Sequence, residues 1–190
     1  MAKLKALCVV AHPDDCVMFA KPFIDVHSQF DWKILYLTYA EFEPRGREIA
    51  KYWAKQGILT IHLGHTDDYR DMENNQLSFN HEQAAREIAN ICRPYDLVLT
   101  HNPDGDYGHI HHKFVSQCVT ASGVPAVYFA GQGHENLTCG AKNNVVLEDL
   151  PLHREVIEQF ENINLGRYIV TDTAKEVIDG STKAWSNLYL

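Results

Sequence analysis

The chain has 190 residues, 45% of them hydrophobic, with 17 basic against 25 acidic side chains and a formal net charge of −8. That length supports one domain with a substantial core and is short for two, so residues 1–190 are read as a single domain, with 131–190 as a less regular pocket and capping part. An acidic balance with no basic run argues against a phosphate-backbone partner; a small molecule rather than nucleic acid is expected.

The five cysteines, Cys8, Cys16, Cys92, Cys118 and Cys139, include no CxxC pair and several lie in apolar stretches, the pattern of reduced core thiols. The first apolar run is shorter than a signal-peptide core and no stretch approaches membrane-spanning length, so a cytoplasmic protein without membrane insertion is expected. Eleven histidines, several of them near strand ends, direct attention to metal or acid–base chemistry.

In chain order, Leu4 to Ala11 reads as a buried strand that stops at His12-Pro13-Asp14-Asp15. His12, Asp14 and Asp15 therefore fall at a strand's carboxyl end, the edge of an open α/β sheet where ligands bind. The alternative for the two aspartates is to cap a helix over Cys16 to Phe23; Pro22 argues against one unbroken helix as far as Phe30. Trp32 to Tyr39 is the second strand, Arg45 to Gln56 an amphipathic helix ended by Gly57, and Ile58 to Leu63 the third strand. That strand runs into His65, Asp67, Asp68 and Arg70, which either serve the site or form a solvated turn.

Asn80 caps a helix to Ile91, and Asp96 to Thr100 is the fourth strand. A glycine-rich loop then delivers His109, His111 and His112 to the start of a helix over Ile110 to Ala121. On helical spacing His109 and His112 share a face while His111 points elsewhere. Val124 to Phe129 is the fifth strand. Beyond Ala130 the pattern weakens to a short strand at Val145 to Glu148, a helix at Leu152 to Glu161 and a strand at Tyr168 to Thr171. The alternation predicts a three-layer α/β/α fold with a mostly parallel sheet.

AHPDD at residues 11–15 and Gly108-His109-x-x-His112 about a hundred residues later resemble the LmbE/PIG-L family of metal-dependent N-acetylglucosaminyl deacetylases. Arg45-x-x-Glu48 and Asp67 agree with the family's connecting segments, and the match covers roughly residues 4 to 130. The resemblance implies a Rossmann-like fold, His12, Asp15 and His112 as metal ligands, Asp14 as general base, and His109 as acid or electrophilic partner. It implies zinc, with iron or cobalt accepted by the same donors, an N-acetylated amino-sugar substrate, and a homo-oligomer as an open possibility. Arg45, Arg70 and Asp106 are candidate substrate contacts, although a solvated salt bridge is the commoner fate of an arginine.

Two positions depart from the family pattern: Cys16 stands where many relatives carry glutamate, and His111 where some carry an acid. Three readings stay open: a deacetylase, an amidase for another N-acyl group, and a metal-dependent binding protein that has lost catalysis. A thiol enzyme is disfavoured because Cys16 lacks a nucleophile's surroundings, and a dinucleotide fold because the first strand leads into AHPDD rather than a glycine-rich loop.

Overall fold

The computed structural model describes residues 3–130, 136–139, 144–159 and 166–186. Strands β1 (Lys5–Val10), β2 (Asp31–Thr38), β3 (Leu59–His65), β4 (Leu97–Thr100) and β5 (Ala126–Phe129) pair in parallel in the order β3-β2-β1-β4-β5. Strands β6 (Leu137–Thr138) and β7 (Arg167–Val170) extend the sheet, with β7 antiparallel to β5 and β6 antiparallel to β7. The helices are α1 (Lys21–Val26), α2 (Pro44–Ala54), α3 (Arg70–Asn74), α4 (His81–Cys92), α5 (Ile110–Ser122), α6 (Arg154–Gln159) and α7 (Asp172–Ser186).

Two cores lie on the two faces of the sheet, and β1 divides itself between them by its period of two. Ala6, Cys8 and Val10 face one core with Phe19, Phe23, Trp53 and Tyr168, while Leu7, Val9 and Ala11 face the other with Ile88 and Val119. Strand order reverses between β1 and β4. The chains leaving those two strands diverge to opposite sides and open a crevice at their carboxyl ends. His12 follows β1 and the histidine loop follows β4, so topology alone brings the two motifs together.

Most expected elements form. Asn80 caps α4, accepting the Gln83 N–H at 3.1 Å. Pro22 does interrupt the first helix: Cys16–Ala20 is a π turn in which the Lys21 N–H reaches Cys16 O, and α1 starts at Lys21. The short strand expected at Val145 to Glu148 is not there. Leu147–Asp149 is instead one 3-10 turn, closed by Asp149 N–H to Val146 O and Leu150 N–H to Leu147 O, which buries Leu150 just before Pro151. The helices α3 and α7 were not expected. The helix read over Leu152 to Glu161 is seen as Arg154–Gln159, its last two residues lying outside the described part.

Candidate metal centre and active site

The residues after β4 fold so that one loop presents several imidazoles. Asn102 Oδ1 accepts the N–H groups of Asp104 (2.9 Å) and Asp106 (3.1 Å), an Asx turn that pulls the loop back over itself. Gly105 sits at φ +74°, and a side chain there would run into the His109 backbone. Asp106 also takes a positive φ of 63°, which a short polar side chain tolerates. His109 is the N-cap of α5 with extended backbone angles, and its Nδ1 accepts the His111 N–H at 3.2 Å.

This cap corrects the expectation that His111 points elsewhere. Helical spacing does not apply to a residue outside the helix, and His109, His111 and His112 all close on His12, with ring centroids 4.7, 5.3 and 5.3 Å from it. His111 and His112 are fully buried.

Among the described residues, three overlapping groups bring ligand-type atoms within 4.8 Å of one another: His12 with Asp15 and His112, His12 with His109 and His111, and His101 with Asp106 and His112. Proton bookkeeping separates them. A neutral imidazole carries one N–H, and a carboxylate can only accept. The Ala11 N–H points at His101 Nε2 (3.1 Å), so the His101 proton is on Nδ1, where Asp106 Oδ2 lies 2.5 Å away. His112 Nδ1 faces the same Asp106 Oδ2 at 2.9 Å and donates to it, which leaves a lone pair on His112 Nε2. On the other flank His111 Nε2 donates to Asp71 Oδ2 (2.8 Å), so its Nδ1 accepts from His12 Nε2–H at 3.1 Å, and His12 Nδ1 keeps a lone pair.

The third and second groups are thereby consumed by internal hydrogen bonds. In the first, the hydrogen bonds of the neutral rings require no proton between the donors. His12 Nδ1 is 3.2 Å from Asp15 Oδ2 and 3.3 Å from His112 Nε2, and His112 Nε2 is 3.4 Å from Asp15 Oδ1. Donors around a tetrahedral ion bound at about 2.0–2.2 Å stand about 3.3–3.5 Å apart. Asp15 Oδ1 is buried without a hydrogen-bond partner, while Oδ2 accepts the His12 N–H at 2.7 Å. The carboxylate makes no side-chain cap to the turn that follows it, so the helix-cap reading of Asp15 fails. Two imidazole nitrogens and one carboxylate oxygen that converge with nothing between them fit a divalent cation.

Electrostatics agree. Burial disfavours charge on His12, but Asp15 and Asp67 outweigh it and push His12 up to about 10; without an ion the pocket therefore favours a second proton on His12 Nδ1 beside Asp15, and a bound cation would take that proton's place. Against its own burial, Asp15 is held well below the usual carboxylate range by His112, His12 and His101. Asp106 and Asp15 favour a charged His101, up to about 9 against its burial; the Ala11 N–H directed at Nε2 requires the neutral ring, and geometry decides. Burial, and then His12, His112 and His111, push His109 down to about 3, so its ring is neutral with the proton on Nε2.

Asp14 lies beside the three donors without joining them. Its Oδ1 accepts from Arg45 at 2.5 Å, and the same guanidinium donates to Tyr39 Oη at 2.9 Å. Arg45 is thus in the site and holds Asp14. Two other expected substrate contacts are revised. The Asp106 side chain is only 4% exposed and its Oδ2 is taken by His101 and His112. Arg70 is exposed and grips Asp68, the solvated pair that is commonest for an arginine. His65 pairs with Glu87, so of the polar exit from β3 it is Asp67 that turns to the site, 3.5 Å from His12 Nε2.

Cys16 is fully buried, its sulfur accepting from Trp53 Nε1 and meeting the Tyr36 hydroxyl and Pro13 carbonyl. Burial pushes its thiol up and keeps it neutral, which disposes of a thiolate nucleophile. Sequence reasoning missed His101, Asp71 and His153. His153 arrives from the segment before α6, pairs with Glu48 at 3.2 Å and is fully buried. His101 alone carried a signal, standing directly after a strand in a histidine-rich loop.

Residues 7–122 match the family described as PIG-L: GlcNAc-PI de-N-acetylase, which is more than half of the chain and includes both motifs. The chain belongs to the PIG-L family. An uncharacterized protein of Acanthamoeba polyphaga mimivirus is 27% identical over 140 residues, covering 66% of this chain and 61% of that one. The antimicrobial A40926 pseudoaglycone deacetylase Dbv21 shares the fold, with a TM-score of 0.52 and 15% identity over 67% of this chain and 63% of its own. The chain thus spans less than two thirds of either protein. The 4-carboxy-2-hydroxymuconate hydratase GalB of Pseudomonas putida overlays more completely, at 95% of this chain and 84% of its own, with a TM-score of 0.53 and 13% identity. A PIG-L-like fold by itself therefore does not choose the reaction.

Proposed function

We propose that this chain is a metal-dependent N-deacetylase that hydrolyses the acetamide of an N-acetylated amino sugar, with residues 1–190 acting as one cytoplasmic domain. The observation that carries the reading is the convergence of His12 Nδ1, the Asp15 carboxylate and His112 Nε2 beside Asp14. Three protein donors are one short of a tetrahedral set, the pattern of a catalytic rather than a closed structural site. Zinc suits a set of two nitrogens and one oxygen, and iron(II) or cobalt(II) suits it too. A divalent ion held there supplies an acidified water and a Lewis acid for the amide carbonyl.

The remaining chemistry belongs to the chain. Arg45 fixes Asp14 Oδ1, which leaves Oδ2 to take the proton of the attacking water and later return one to the leaving amine. His109 acts as a neutral electrophile rather than an acid: with Nδ1 capped by the His111 N–H, its Nε2–H is the group that hydrogen-bonds the oxygen where negative charge develops. Asp106 holds His112 and His101 in the required tautomers. Arg45 bonds both Asp14 and Tyr39, polar groups suited to sugar hydroxyls. The free, mostly buried thiols suit a reducing compartment. No helix of the described residues is long and apolar enough to cross a membrane.

The test is acetate release from a panel of N-acetylglucosamine conjugates by zinc-loaded protein, beside a chelated control and Asp14→Asn. Release that needs both the ion and Asp14 is expected. Stoichiometric metal with no release from the sugar panel, but release from other N-acyl amines, would move the assignment to a different amidase; no release from either would leave a binding protein.

A further inference from the structure

Asp71 has no part in the chemistry above, yet two hydrogen bonds lead from it to the metal centre. It lies in α3, is 4% exposed, and its Oδ2 accepts the Ser78 N–H and hydroxyl, each at 3.0 Å, and His111 Nε2–H at 2.8 Å. His111, itself fully buried with Phe79 edge-on at 5.5 Å, then faces His12 Nε2 with its Nδ1 at 3.1 Å.

We propose that Asp71 and His111 form a relay that chooses which nitrogen of His12 faces the metal. The proposal rests on the reading of His12 as a metal ligand. Carboxylates commonly sit behind metal-bound histidines and fix their tautomer directly; here the carboxylate stands one ring further out. The choice matters because the two nitrogens of His12 face competing acceptors. On the Nδ1 side Asp15 Oδ2 is 3.2 Å away. A His12 proton placed there makes a hydrogen bond to Asp15 and blocks the metal position. Asp71 holds the His111 proton on Nε2, which presents a lone pair to His12 Nε2–H and keeps the blocking tautomer from forming. Asp67 Oδ1, 3.5 Å from His12 Nε2 and 3.7 Å from His111 Nδ1, favours the same tautomer from a longer range. Asp71 and His111 are positioning residues and touch no substrate.

The relay has a bypass, which makes it testable. Histidine Nδ1 and an aspartate Oδ stand one bond beyond Cγ, so His111→Asp puts an acceptor beside His12 Nε2 without help from Asp71. Zinc affinity is measured by competition with a chromophoric chelator, on variants whose metal-free melting is also followed. Asp71→Ala should weaken zinc by about 10–100-fold, the range for removing an outer carboxylate, and His111→Leu should do the same while leaving the Ser78 bonds to Asp71 in place. Asp71→Asn should keep most of the affinity, because the Ser78 N–H holds its amide oxygen toward His111. In the His111→Asp background, Asp71→Ala should cost less than about twofold.

Equal losses from Asp71→Ala in both backgrounds would make Asp71 a merely structural residue and overturn the relay, as would unchanged affinity in His111→Leu. Wild-type protein that holds no ion overturns the parent reading and the relay with it, whereas an ion indifferent to Asp71 overturns the relay alone.

Discussion

Two carboxylates stand behind His12 and His112, the imidazoles proposed to hold the metal, and they reach them by different routes. Asp106 belongs to the loop that leads into α5, six residues before His112, and touches its Nδ1 directly. Asp71 lies in α3, beyond β3, and reaches His12 only through His111. The local route is fixed by backbone turns that the loop makes with itself, through Asn102 and Gly105. The relayed route depends on the packing of α3 and Phe79 against α5, and its strength is that of the weaker of two hydrogen bonds. Support from within a motif is therefore expected to be stiffer and costlier to lose than support from across the fold.

Substitutions can break this comparison at several depths. The largest effect should leave both supports intact: Asp14→Asn is expected to lower kcat by about 10²–10⁴-fold, the range for a positioned general base, while metal content measured by atomic emission stays near one ion per chain. Asp106→Ala should come next. It frees both His101 and His112, and zinc affinity should fall toward the upper end of about 10–100-fold, more than for Asp71→Ala; the reverse ranking would contradict the local-over-relayed argument. Cys16→Ala sharpens the comparison from outside. It leaves the Trp53 N–H and Tyr36 hydroxyl short of a partner in the core, at a cost of about 1–3 kcal/mol in denaturant melts, with zinc affinity unchanged.

The smallest effect is a pH dependence that belongs to neither support. Burial lowers His27 and His62 below their ordinary values, so the unfolded chain binds protons that the folded chain refuses. Their contribution to stability is full above the unfolded value of about 6.5 and is lost as pH falls below it. His27→Gln should flatten the acid limb of a melting-temperature profile, and an unaltered limb would show that acid sensitivity arises elsewhere.

The same division explains what the sequence could and could not disclose. The residues proposed as metal donors stand out through local sequence. His12 and Asp15 follow an apolar strand within four residues of one another, and His112 stands in the first turn of a helix that follows a glycine-containing loop. The parallel strands were readable too, because runs such as WKILYLT are buried on both faces and must be nearly all apolar. Residues that act across the fold were not. Asp71 looks like any acid in a polar loop until α3 forms and Ser78 donates to it. His111 was misplaced because a three-residue spacing was measured from His109, which caps the helix instead of joining it. The part after β5 spells out least, since its contributions are single anchors: Tyr168 on β7 donates to Phe19 O at 2.8 Å and so secures the turn that follows Asp15.

The most direct test of the whole account is where a metal ion sits. Crystals grown with zinc and measured at the zinc absorption edge should give one strong anomalous peak per chain, bound by His12 Nδ1, Asp15 Oδ1 and His112 Nε2, with Asp14 close by and unligated. A peak held instead by His12 Nε2, His111 and His109, or none in fully loaded crystals, would contradict the proton arrangement on which the metal centre, the relay and the proposed hydrolysis all depend.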